Sequence, residues 1–292
     1  MLLSMTGFGR AVRTIGEKTI LCEIRALNAK VTDLKIKLPA DIKEREMELR
    51  KQVNDHAERG KFDLLIDVQS PEGPAVGGIN EQLFRAYFHQ INRLTTELGI
   101  KNADPLQAIL RIPNVVGQPV GEMDEDEWAL IKETLDETLV NLRNFRRDEG
   151  RILEAELRLR VASIAKLLVD LQPLEAARIE KMRQRMKANF EEYIAKDAVD
   201  SNRFEQEILF YLEKMDITEE KVRLEQHCNY FIEQLDLPTS TSVGRTLGFI
   251  SQEMGREINT LGAKAYDADL QRFVVQMKDD LEKIKEQLAN VL

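Results

Sequence analysis

The chain has 292 residues, 43% of them hydrophobic and 32% charged, with 51 acidic against 42 basic side chains and a formal net charge of -9. That is enough apolar material for one large domain or two smaller ones, and the sparse aromatics, glycines and prolines favour helix over sandwich or barrel. The acidic balance argues against indiscriminate attraction to a polyanion and leaves local basic clusters as the route to nucleic acid.

The first 70 residues read as mixed α and β. Ser4 to Ile15 is β-like, Gly16-Glu17 makes a turn, and Lys18 to Leu27 alternates around Ile20, Cys22 and Ile24, so an antiparallel hairpin is expected. Leu34, Ile36 and Leu38 alternate with polar residues in a further strand ended by Pro39. Asp41 is expected to cap a helix reaching His56, and Lys61 to Val68 forms the next strand after the turn at Arg59-Gly60. Ser70 to Gly78 reads as a loop, Asn80 caps a helix to about Leu98, and Asp104-Pro105 opens a short helix ended by Ile112-Pro113. A loop around Gly117 to Gly121 precedes the acidic cluster Asp124 to Glu127, which suits a helix N-terminus.

From there the helical pattern runs to Pro173, roughly 70 Å at 1.5 Å per residue. A second run, Leu174 to Lys196, is expected to fold back on it as an antiparallel arm. Residues from Asn202 onward are helical, with breaks at Pro238 and near Gly262. The fold class expected is α+β, with a strand-rich N-terminal region running into a long helix (1–155), a helical arm (156–200) and a helical C-terminal region (201–292).

Two cysteines, Cys22 and Cys228, in no CxxC spacing argue against a disulfide framework and point to a reducing cytoplasm. The N-terminus lacks the charged and apolar segments of a signal peptide, and no apolar run approaches the roughly 20 residues that span a bilayer. The phosphate-loop, dinucleotide, HExxH and zinc-type cysteine patterns do not occur.

Gly244 to Lys264 carries most of the polar chemistry. Glu253 and Glu257 lie four apart, with Gln252, Arg256, Asn259 and Thr260 around them. On a helix the two carboxylates share a face and repel unless a cation or an arginine stands between them. The pattern reads either as an Arg–Glu surface network or as an oxygen-rich site for Mg²⁺ or Mn²⁺. Upstream, Thr218 is expected as an N-cap with an acidic first turn, and Glu220, Arg223 and His227 recur on one face. Histidine is the side chain most easily tuned for proton transfer near neutrality.

Basic residues gather at Arg143, Arg146, Arg147, Arg151, Arg158 and Arg160, then at Lys181, Arg183, Arg185 and Lys187. They form either a solvated helical face or a track for a polyanion backbone. Ser-Met-Thr-Gly-Phe-Gly-Arg at 4–10 is unusual for a strand, and its two glycines favour close backbone approach.

These residues together resemble the YicC family of bacterial proteins over nearly the whole chain. The carriers are the segment 4–10, Glu23-Ile24-Arg25-Ala26-Leu27-Asn28, Arg59-Gly60-Lys61, Asp148-Glu149-Gly150, Glu219 to His227, and Gln252 to Thr260. The resemblance implies metal-dependent endonucleolytic cleavage of RNA and a ring-like homo-oligomer, a hexamer. On that expectation Glu220, His227, Glu253 and Glu257 hold Mg²⁺ or Mn²⁺, while Arg223 and Arg256 grip the scissile phosphate. His227 is a ligand or a general acid–base, and the attacking group is water or the RNA 2′-hydroxyl. RNA contacts are expected at Arg10, Arg25, Asn28, Lys61, Arg146, Arg147 and Lys264. Two other readings compete: an RNA-binding or adaptor protein without chemistry, and a structural helical assembly factor.

Overall fold

The computed structural model describes residues 2–29, 31–56, 59–69, 79–100, 104–113, 115–116, 124–193, 201–237 and 243–292. The expected loops at 70–78 and 117–121, Lys30 and Pro238 lie outside them. The chain divides into two compact units, one formed by Gly7–Arg143 and the other by Met1–Thr6 with Asn144–Leu292.

In the first unit, β1 (Gly7–Ile15) and β2 (Lys18–Leu27) form the expected hairpin, turned at Gly16 with φ of 56°. β3 (Asp33–Lys37) lies parallel to β4 (Lys61–Gln69), and β4 pairs antiparallel with β2, giving the order β1-β2-β4-β3. The parallel pair needs a crossover, supplied by a 3₁₀ turn (Ala40–Arg45) and α1 (Glu46–His56). Asp41 lies inside that turn and does not cap it; Pro39 holds the N-cap position without a side-chain bond. Strand alternation places Ile20, Cys22, Ile24, Phe62, Leu64 and Ile66 on one side of the sheet, where they bury against Leu49 and Val53 of α1. Trp128, Ile131, Leu135, Leu139 and Leu142 of α4 (Glu125–Asp170) complete this core. Each such side chain contributes about 1.5–3 kcal/mol by leaving water. β1 runs so close to α4 that a Cβ on Gly9 would meet the Thr138 carbonyl oxygen at 2.2 Å. α2 (Glu81–Glu97) is capped by Asn80, whose Oδ1 accepts from the Leu83 amide at 3.0 Å, and α3 (Pro105–Leu110) by Asp104, both as expected.

The second unit is helical. α4 and α5 (Gln172–Tyr193) are separated by Leu171 alone. One residue cannot reverse a chain between antiparallel helices, which takes two to five. The expected fold-back of the second helix on the first therefore does not form. α5 instead meets α6 (Ser201–Met215), through Arg183–Glu205, and the N-terminal turn of α7 (Thr218–Asp236), through Glu175–Lys221. The C-terminal region holds a break that was not expected, at Asp216-Ile217, and the break expected near Gly262 follows Lys264, between α8 (Val243–Lys264) and α9 (Ala268–Leu288). Thr218 is not the cap of α7. It is the first helical residue, and its amide donates to Asp216 Oδ1 at 2.9 Å.

The N-terminal segment is stitched into this unit by backbone. The Ser4 amide donates to the Arg146 carbonyl, Met5 to Asn290, and Leu292 to Leu3. Thr6 Oγ1 donates to Glu149 at 2.9–3.0 Å, and buried Arg146 donates to the Met5 carbonyl at 3.1 Å. Leu2 crosses α4 so closely that a Cβ on Gly150 would lie 2.1 Å from the Leu2 carbonyl oxygen. The segment 4–6 and the Glu149-Gly150 pair are thus halves of one packing device. Gly150→Ala should cost about 2–4 kcal/mol, because backbone must move on both sides. A urea denaturation midpoint equal to that of the parent would contradict this.

Candidate functional site

α7 and α8 run antiparallel, since Glu220 at the start of one bonds Lys264 at the end of the other, Nζ to Oε1 at 2.8 Å. Their inner faces bury Leu224, Cys228, Phe231 and Leu235 against Leu247, Ile250, Met254, Ile258 and Leu261. The opposite flank of α8 is shaved by glycines, and a Cβ on Gly262 would meet Val274 Cγ1 of α9 at 2.9 Å. α8 is thereby fixed from two sides, with Glu253, Glu257 and Lys264, spaced four and seven, along its α7 flank. On α7 the matching row is Glu220 and, seven residues on, His227.

The Glu220–Lys264 contact sets the level of the two rows. Two turns forward along α7 comes His227 and two turns back along α8 comes Glu257, so helical rise puts them at similar height. Both are half-buried, as is Glu253 one turn further along α8. Of the expected site, these three lie at neighbouring levels of the α7–α8 pair without gathering as a metal-holding group. Glu220 lies about 10 Å away along the axis, two helical turns from His227. It is 6% exposed and gives one oxygen to Lys264, while its Oε2 is buried without a partner.

Arg223 is exposed and pairs with Glu219 at 2.5 Å, and Arg256 is exposed and pairs with Glu253 at 2.9 Å. Exposed pairs of this kind contribute at most about 1 kcal/mol, so both guanidinium groups can exchange a glutamate for a phosphate. Arg146 is 5% exposed, with its guanidinium on the Met5 carbonyl, where it holds the N-terminal segment. Lys264 is likewise engaged by Glu220 and is a structural cation here. Arg158 joins Glu154 and Asp236, and Arg160 joins Glu156 and Asp280, so much of the expected basic track is neutralised within the unit. Arg147 is exposed on α4. In the other unit Arg10, Arg25 and Lys61 share the sheet face turned away from the core, Arg10 opposite Glu23 and Arg25 over the Phe8 ring at 5.9 Å. Asn28 follows β2 and is exposed.

Arg178 was not anticipated. It sits 5% exposed on α5 and donates to the Met215 carbonyl at 2.7 Å and the Lys264 and Ala265 carbonyls at 3.3 and 3.0 Å. It thus closes the C-terminal ends of α6 and α8, where carbonyls are unpaired and the helix dipole is negative. Burial pulls its guanidinium below the ordinary arginine value. Asp216, which accepts from the first amide of α7, is held below its usual value by the Thr218 hydroxyl and amide. The Cys228 thiol beside His227 is pushed up to about 12 by burial and is chemically silent, as is Cys22.

Among the described residues no three His, Cys, Asp or Glu side chains gather as a group that could hold a metal ion. Nor, among them, is any helix long and apolar enough to cross a membrane.

Known proteins were compared with the chain. The description "Endoribonuclease YicC-like, N-terminal region" matches residues 2–155, and "Endoribonuclease YicC-like, C-terminal" matches residues 171–292. The chain belongs to the YicC-like endoribonuclease family. A protein of Clostridioides difficile (strain 630), named probable endoribonuclease YicC, is 30% identical over the full length of both chains. One of Haemophilus influenzae (strain ATCC 51907 / DSM 11121 / KW20 / Rd) with the same name is 27% identical, again over all of both. The family's C-terminal region contains α5 to α9, hence the whole His227–Glu257 groove.

Replacing Lys264 by Met leaves the Glu220 carboxylate buried and unpaired. Because Lys264 is a third exposed, the expected loss is about 1–3 kcal/mol, below that of a fully buried pair. The double variant Glu220→Gln/Lys264→Met should recover part of it. Additive losses in chemical denaturation would show that the pair does not set the α7–α8 register.

Proposed function

We propose that the chain is a metal-dependent endoribonuclease whose reaction centre is the α7–α8 groove at His227, Glu253 and Glu257. The observation that carries the reading is the antiparallel register, which sets an imidazole and a carboxylate at one height with a second carboxylate a turn away. The family and the names of its relatives support RNA as the substrate. The donors fit a divalent cation in kind, being carboxylate oxygens and an imidazole nitrogen. They are not gathered as they stand, and Glu253 must leave Arg256 to join them. Glu220, engaged by Lys264 two helical turns away, stays outside this set.

When bound, such a cation lowers the pKa of a coordinated nucleophile and neutralises charge developing on phosphate. The chain's own contributions are separate. Arg223 and Arg256, freed from their glutamates, grip phosphate oxygens in a two-pronged geometry that fixes the scissile group. His227, half-buried and at the level of Glu257, either completes the ligand set or carries a proton at its free ring nitrogen. Binding of Mn²⁺ to His227→Gln distinguishes these, since only a ligand's loss weakens it.

The chain is also proposed to act as a homo-oligomer, a hexamer, in a reducing cytoplasm where its two buried thiols stay free. Supporting this, α2 carries Leu83, Phe84, Phe88 and Ile91 yet has no buried residue, and Leu94, Leu98 and Ile100 are exposed beyond them. An apolar helix face of that extent calls for a covering surface.

The test is cleavage of a labelled structured RNA by purified protein, with Mn²⁺ or EDTA, followed by end-group analysis. Cleavage should require the cation. Glu253→Gln and Glu257→Gln should each lower it by on the order of a hundredfold or more while RNA binding persists. Calorimetry should show Mn²⁺ binding weakened in the same variants. The preparation should weigh six times the 33.6 kDa chain by native mass spectrometry. Unchanged cleavage in both variants would remove the groove as the reaction centre, and cation-independent cleavage would remove the metal.

A further inference from the structure

Two exposed aromatic side chains stand one helical turn from the groove and take no part in either core. Tyr230, 46% exposed, follows His227 by three residues on α7, and Phe249, 60% exposed, precedes Glu253 by four on α8. Those spacings place each ring on the face of its neighbouring site residue. Because the helices are antiparallel, the step from His227 to Tyr230 and the step from Glu253 to Phe249 lead toward the same end, that of the α7–α8 connection.

Their surroundings decide what covers them. Arg223, Gln226, Asn229 and Glu233 are exposed around Tyr230, and Arg245 and Gln252 around Phe249. The core of a protein–protein interface is depleted of such charges. Single rings set among guanidinium and amide groups match a surface that stacks splayed bases and bonds their edges and phosphates. We infer that Tyr230 and Phe249 are positioning residues that stack on unpaired bases to one side of the scissile phosphate. This rests on the reading of the groove as the ribonuclease centre.

The experiment uses the full chain with Tyr230→Leu, Phe249→Leu and the conservative Tyr230→Phe and Phe249→Tyr. A single-stranded RNA carries 2-aminopurine beside the cleaved linkage. Each leucine variant should raise KM at least about fivefold, the lower end for loss of one base–aromatic stack, with kcat nearly unchanged. It should also relieve part of the 2-aminopurine quenching seen on binding, and the aromatic exchanges should restore both. Fully paired RNA should be cleaved no worse by the leucine variants than by the parent. Unchanged KM and quenching overturn the inference. So does a change of oligomeric mass with RNA affinity intact, which would assign the rings to a contact between subunits. If the parent does not cleave at all, the ribonuclease centre fails, whereas quenching still reports whether the rings stack.

Discussion

The antiparallel contact of α7 with α8 is the constraint on which the candidate site depends. A shift of one residue along either helix rotates its flank by about 100° and would turn His227 or Glu257 out of the groove. Two devices guard the register. Glu220 and Lys264 lock one end by a half-sheltered ion pair, and Arg178 draws in the carbonyls that close α6 and α8. On the far side of α8, Gly262 lets the Val274 methyl approach to a distance no side chain would allow. The charged residues nearest the groove are thus split in role. Glu220, Lys264 and Arg178 hold geometry, whereas Glu253 and Glu257 stay half-buried on the α7 flank of α8.

The same division runs through the rest of the chain. Segments that look like a functional signature at the N-terminus are packing devices: Gly9 against α4, Thr6 on Glu149, and Leu2 across Gly150. Arg146 satisfies a backbone carbonyl where a segment without its own secondary structure must be buried, a need that unpaired peptide groups impose. A side chain at Gly9 or Gly150 would have to displace backbone rather than a side-chain tip.

Much of the fold was legible in the residues. The alternation of Ile20, Cys22, Ile24 and Ala26 announced β2, and Asn80 and Asp104 announced their helices, because these signals are local. The break at Asp216-Ile217 was hidden, since an aspartate cap inside a charged helical pattern looks like another solvated residue. The break expected near Gly262 falls two residues on, after Lys264, and Gly262 itself serves the contact with α9. The burial of Arg146 was legible, since it lies on the 3–4 spaced row of Leu135, Leu139, Leu142, Leu153 and Leu157, which is the buried row of α4. The engagement of Glu220 by Lys264, 44 residues away, and the clamp by Arg178 had no local signature, because they depend on which helix ends meet.

What makes the groove more than a charged seam is the claim that His227, Glu253 and Glu257 close on one cation. The direct measurement is anomalous scattering from crystals grown with Mn²⁺. The account predicts a single strong peak between α7 and α8, about 2.0–2.3 Å from a nitrogen of His227 and an oxygen of Glu257. Fully occupied Mn²⁺ elsewhere, for instance among Glu48, Asp55 and His56 beside α1, with the α7–α8 groove empty, would contradict it.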